Sequence, residues 1–160
     1  MGAVSLALFL AAEATAPAVQ TQMNLIRFFD LSPEGRRKAF DAMSLKDQVD
    51  IAISEPNRVH PSDSYFQLKV AKQGTGAIAE LQRRICAKPP EPAEVTGALR
   101  LVGLLFFSIE RRLPGPRLTR ELDACLGRLE DESLGRRALL IWDAVKAGKS
   151  PLVVDPEWRR

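Results

Sequence analysis

Gly74, Gly76 and Ala79, within the stretch "YFQLKVAKQGTGAIAELQRRI", fall in G-x-G-x-x-A spacing. In a dinucleotide-binding unit, such a glycine turn leaves a buried strand and brings a pyrophosphate onto a helix N-terminus. That chemistry requires two strands. Upstream, "YFQLKVAKQ" mixes polar with apolar residues, whereas a strand buried on both faces is nearly all apolar. Downstream, where a second strand ending in an acid belongs, the chain reads "KPPEPAE", and proline is barred from a central strand. The spacing is accidental, and no nucleotide cofactor is expected. Gly74 instead ends one helix in a tight turn, and Gly76 lets two antiparallel helices approach.

His60 is the single histidine, and Asp63 and Ser64 follow it closely. Acid–base or nucleophilic chemistry can be drawn for these three. A serine triad, however, needs an oriented nucleophile and an oxyanion hole, and no G-x-S-x-G turn is present. The imidazole is better used capping the helix that begins at Pro61 or bonding loop backbone, so no catalytic residue is assigned. Glu91 and Glu94 flank Pro92 in a loop, and paired-carboxylate catalysis would need them fixed in a cleft. With one histidine and no C-x-x-C pair, no metal site is expected. Cys86 and Cys125 are either one disulfide joining two helices in an exported protein or two buried thiols in the cytosol.

The elements that position these residues are helical. Ala, Leu, Arg and Glu abound, aromatics are 6% of the 160 residues and β-branched runs are few, which together favour an all-α fold. Ser32 is a helix cap with Pro33 behind it, and that helix runs to about Met43. Ser44 caps a second helix whose Leu45, Val49 and Ile53 recur on one face. A third helix starts at Pro61, carries Tyr65, Phe66, Leu68 and Val70, and stops at Gly74. A fourth, from about Ala77 to Ala87, sets Ile78, Leu81 and Ile85 on one stripe. After the "KPPEPAE" breaker, Val95 to Leu113 is a long apolar segment, interrupted by Arg100, with Gly97 and Gly103 leaving room for close packing. Its length and its arginine mark a buried core helix rather than a membrane span. "PGP" ends it. Leu118, Leu122, Cys125, Leu126 and Leu129 then line one helix. Leu134, Ala138, Ile141, Trp142 and Val145 line the next, which Gly148 stops.

The first eighteen residues stand apart. Val4 to Ala12 is nearly unbroken apolar sequence, and Ala16-Pro17-Ala18 matches a small-x-small cleavage pattern, although no basic residue precedes it. Residues 1–18 are read as a signal peptide or, alternatively, as an N-terminal helix, and residues 19–160 as one all-helical domain. A periplasmic or secreted location follows from the first choice and a cytoplasmic one from the second.

"SLKDQVDIAISEPNRVHPSDSYFQLKVAKQGTGAIAELQRRI" resembles the HEAT-like helical-repeat segments of a group of uncharacterised bacterial proteins. There an "HP" loop leads into a helix, followed by "A-x-x-G" and an "I-x-x-L-x-x-R-I/L" helix. The resemblance covers about residues 31–85, with an echo in the closing "DPEWRR". It implies a short α-solenoid, a stack of antiparallel helix pairs, and brings no activity with it.

Five arginine pairs recur: Arg36-Arg37, Arg83-Arg84, Arg111-Arg112, Arg136-Arg137 and Arg159-Arg160. Arginines in last helical turns complement the helix dipole and pair with acids such as Glu80 and Glu110 one turn away. A net charge of only +3 is far from the footprint of a dedicated nucleic-acid binder. The function expected is therefore a non-catalytic protein-interaction or scaffold module without cofactor, binding a protein or peptide. His60, Tyr65, Arg83 and Arg84 are the expected contact residues. The alternatives are a small enzyme centred on His60 and Asp63, and a weak binder of nucleic acid or an acidic partner through the arginine pairs.

Overall fold

The computed structural model describes residues 27–54 and 64–151. Among these the chain is all-α, with no strand, and it divides into two compact units, residues 1–42 and 43–160. The boundary expected after residue 18 lies outside the described residues, as do His60, Pro61, Asp63 and the closing "DPEWRR".

In the first unit, residues 27–30 are helical and α1 spans Pro33–Asp41. Its start is written in the sequence: Ser32 Oγ accepts the Gly35 N–H at 3.2 Å and Pro33 occupies the first turn, where its missing N–H costs nothing.

The second unit contains α2 (Leu45–Ser54), α3 (Tyr65–Ala71), α4 (Thr75–Ile85), α5 (Pro92–Leu104), a π-helical segment (Leu105–Glu110), α6 (Pro116–Leu126) and α7 (Glu132–Lys146). Side-chain caps set three of the six α-helix starts. Ser44 Oγ accepts from Asp47 N at 3.3 Å while donating to Asp47 Oδ2 at 2.6 Å. Glu91 Oε2 accepts from Glu94 N at 2.8 Å with Pro92 behind it. Asp131 Oδ1 accepts from Leu134 N at 2.8 Å. Each of these satisfies an amide that the first helical turn leaves without a partner. Gly148, at φ 67° beyond α7, is the expected stop.

The most extensive contacts join α4 to α5 and α5 to α7, followed by α2 to α3; α6 touches α7 more lightly, so the helix pairs in chain order are α2 with α3, α4 with α5 and α6 with α7. The first helices of these pairs touch in order, α2 with α4 and α4 with α6, and the second helices do likewise, α3 with α5 and α5 with α7. The direction of α4 and α6 follows from two links. Gln82 Nε2 donates to Glu121 Oε2 at 2.7 Å, and one turn further on Cys86 is disulfide-bonded to Cys125. Both links join residues at the same sequence offset, 39, so the two helices run side by side in the same direction.

α5 also leans on α2 and buries Val95, Ala98, Leu99, Leu101 and Val102. Together with the π segment it is long and apolar enough to cross a membrane by length and composition, and 56% of that window is buried within the protein. Its glycines admit close neighbours. A Cβ on Gly97 would lie 2.7 Å from Ile53 Cγ2, and one on Gly103 would lie 2.6 Å from Pro151 Cγ. Gly76 differs: a Cβ there would meet Leu45 at an ordinary 3.9 Å. The close approach expected at Gly76 belongs to Gly97 and Gly103. The turn between α3 and α4 needs Gly74, whose φ is 60°, a conformation that other residues adopt at a cost. Helices on both sides of that turn exclude the strand–turn–helix of a nucleotide fingerprint.

Candidate functional site

Arg83 and Arg84 are adjacent in sequence and have opposite fates. The Arg83 side chain is 59% exposed and forks onto Glu80, with Nε donating at 2.9 Å and one terminal nitrogen at 2.6 Å. The Arg84 side chain is 3% exposed. It pairs with Asp50 of α2, with Glu80 at 2.9 Å and with Glu94 of α5 at 3.1 Å, and donates to the Lys46 carbonyl at 3.4 Å. Burial works against its charge, yet the carboxylates of Asp50, Glu80 and Glu94 outweigh it and raise the guanidinium pKa. The hydrogen bond from Arg83, helped by Arg84, holds the Glu80 carboxyl below the usual range against its own burial. Arg84 therefore ties α2, α4 and α5 together and is not available as a partner contact. That corrects the expectation from sequence: its place on the buried stripe Ala77, Leu81, Arg84, Ile85 turns it inward.

Tyr65 opens α3 half-buried, edge-on to Phe66 at 5.5 Å, with Lys69 Nζ 5.3 Å from its ring centroid. Of the four expected contact residues, Tyr65 and Arg83 are at the surface and Arg84 is buried. His60 and Asp63, on which an enzymatic alternative rests, lie outside the described residues. Glu91 and Glu94 are both accounted for structurally, one as a cap and one as a partner of Arg84. Among the described residues no cluster of His, Cys, Asp and Glu could hold a metal. Trp142 is core, as its stripe indicates, and its indole N–H donates to Asp123 Oδ1 at 2.7 Å, which also accepts from Lys146 at 3.2 Å.

A concave feature that the sequence did not announce lies where α5 ends. The π segment carries the chain from the buried Phe106 to Phe107, which is 48% exposed. It closes on Arg111, whose φ of 51° and ψ of 40° put a non-glycine residue in the left-handed region. Such a residue costs about 1–2 kcal/mol and is held only where surrounding structure dictates it. Between this bend and the end of α7 is a groove of about 280 Å³, lined by Gly103, Phe106, Phe107, Arg111, Arg112, Leu113, Val145, Gly148 and Lys149. Phe106 and Val145 form its buried apolar part, and Phe107 and Leu113, the latter 57% exposed, form its outer walls. Arg112 pairs with Glu110. Arg111 and Lys149 have no ion pair among the described residues.

The Cys86–Cys125 bridge staples the end of α4 to the last turn of α6, with Cα atoms 5.2 Å apart. Such bonds persist in oxidising compartments, and the bridge fits that setting. No family model matches the chain, and neither a curated protein nor a solved structure matches it.

Proposed function

We propose that the chain is a non-catalytic protein-interaction or scaffold module, a short HEAT-like stack of antiparallel helix pairs working in the periplasm or outside the cell. The observation that carries this reading is the in-order contact of the three helix pairs, with α4 and α6 aligned at an offset of 39 residues. Helical repeats of this class recur at roughly 40 residues, and each repeat leans mainly on its neighbours. Because the aligned links lie largely beyond residues 31–85, they support the arrangement independently of the sequence resemblance there. Stacked helix pairs leave faces and grooves that take a peptide or a partner domain, and the half-buried Tyr65, the exposed Arg83 and the groove below the π segment lie at the surface of this one. Three of the exposed arginines are occupied by their own helix: Arg83 with Glu80, Arg117 with Glu121 and Arg136 with Glu132. That favours a protein partner over the phosphate backbone of a nucleic acid. The bridge supports export.

The test compares wild type with Tyr65→Ala and Arg83→Glu on an affinity matrix loaded with envelope extract. Both variants should keep the wild-type melting temperature to within a few degrees and lose a protein that wild type retains. Equal retention by all three would refute the assignment of these residues.

A further inference from the structure

We infer that the groove between the π segment and the end of α7 receives an acidic peptide segment of a protein partner, anchored by one bulky apolar side chain. This rests on the interaction-module reading and names the partner chemistry for one site on it. Size comes first. About 280 Å³ lies just under the range in which whole small ligands are enclosed, roughly 300–1,000 Å³. It suits a single anchor side chain of the kind that dominates protein interfaces. Exposure comes second. Phe107 and Leu113 flank the groove at 48% and 57% exposure, so its walls present apolar surface to solvent. A partner segment covers such walls, whereas a small molecule seated in the cavity leaves them wet.

Charge then selects the partner. Arg111, Arg112 and Lys149 ring the apolar floor, and Glu110, already paired with Arg112, is the neighbouring acid. Among the described residues, Arg111 and Lys149 make no ion pair and have charge to complement. Arg111 holds a left-handed backbone at the rim. Carboxylates flanking the anchor would meet these cations, raise the association rate and reject basic competitors. Such pairing weakens with salt, since the rim is solvated.

The probe is the pentapeptide acetyl-Glu-Glu-Phe-Glu-Glu-amide, titrated into the full oxidised chain while backbone amide shifts are followed. Shifts should cluster at residues 103–113 and 145–149. Replacing the peptide's Phe by Ala should weaken binding at least about tenfold, the low end for burying such a side chain. A peptide with lysines in place of the glutamates should not bind. In the protein, Leu113→Asp and Lys149→Glu, both at exposed positions, should each weaken binding several-fold while leaving the remaining spectrum in place. No shifts at the groove, equal binding of the Phe and Ala peptides, or equal binding to both protein variants would each overturn the inference. Anionic vesicles that shift the same amides where the peptide does not would assign the surface to a membrane and overturn it too. If the pentapeptide fails while Tyr65→Ala and Arg83→Glu still abolish partner retention, this inference alone falls. If the peptide binds and no partner protein is retained, the wider module reading falls instead.

Discussion

Replacing Arg84 tests whether a residue that looks like surface charge in the sequence is a structural hub. In Arg84→Met the alkyl volume is roughly kept and the positive charge is removed from among Asp50, Glu80 and Glu94. Removing one partner of a fully buried ion pair costs about 3–5 kcal/mol, because the remaining charge stays desolvated. Here Asp50 and Glu80 keep 13% and 15% of their side-chain exposure and Glu94 keeps 40%, so water relieves part of that cost. The lower end, about 3 kcal/mol, is expected. In a chain of this size that lowers the melting temperature by about 6–12 °C. The sign with pH is equally specific. Arg84 is one of the two arginines that hold the Glu80 carboxyl below its usual range, so without the guanidinium that share of the stability is missing wherever Glu80 is ionised. The variant's deficit is then complete above the ordinary carboxylate range and shrinks as pH falls through it. Urea unfolding of the oxidised protein at neutral pH and near pH 4 measures both. A neutral-pH loss under about 0.5 kcal/mol, the scatter of ordinary surface substitutions, would refute the hub. So would a deficit that does not shrink in acid.

Other expectations are as direct. Converting both Cys86 and Cys125 to serine opens a loop of 39 residues and should lower stability by roughly 4 kcal/mol on the chain-entropy estimate; matched urea curves for variant and oxidised wild type would show it, and coincident curves would contradict it. Gly97→Ala forces a Cβ to within 2.7 Å of Ile53 and should cost about 1–3 kcal/mol, whereas Gly76→Ala, with its nearest neighbour at 3.9 Å, should gain up to about 1 kcal/mol of helix propensity; thermal melts that reverse this order would show the packing of α5 to be wrong. Hydrogen bonds from Arg83 to Glu80 and from the Trp142 indole to Asp123 hold both carboxyls below their usual range, so the stability they lend is complete above the ordinary carboxylate range and is lost as pH falls through their depressed values. Asp123→Asn should flatten part of that acid limb, and an unchanged limb would remove Asp123 from the explanation.

The sequence was most legible where structure is decided locally. Ser32, Ser44 and Gly148 act as caps and stops by bonds or torsions within a few residues, and all three do so here. The stripe Leu134, Ala138, Ile141, Trp142, Val145 is buried throughout, because α7 has one apolar face and one neighbour-rich side to put it on. Legibility failed where the deciding partner is distant. Arg84 needs Asp50 and Glu94 beside it before burial is affordable, and nothing in "LQRRI" distinguishes it from Arg83. The inward stripe of α4 consequently runs through Ala77 and Arg84, leaving Ile78 only half-buried. The π segment was hidden because hydropathy reports apolar content and not hydrogen-bond register. Phe107 and Leu113 were therefore averaged into a core helix, although Leu113, between two arginines and "PGP", carried the one local hint of exposure. For the cysteines, the sequence left bridge and free thiols both open, and only the side-by-side course of α4 and α6 brings Cys86 to Cys125.

The most direct measurement is photo-crosslinking in living cells from a reactive side chain placed at Phe107, at Tyr65 and, as a control, at the exposed Arg136, with the adducts identified by mass. If the chain is an interaction module with its interface where the structure exposes one, Phe107 or Tyr65 yields a discrete protein adduct in the oxidising compartment and Arg136 does not. Adducts that are absent at both sites, or the same at all three positions, would contradict that function.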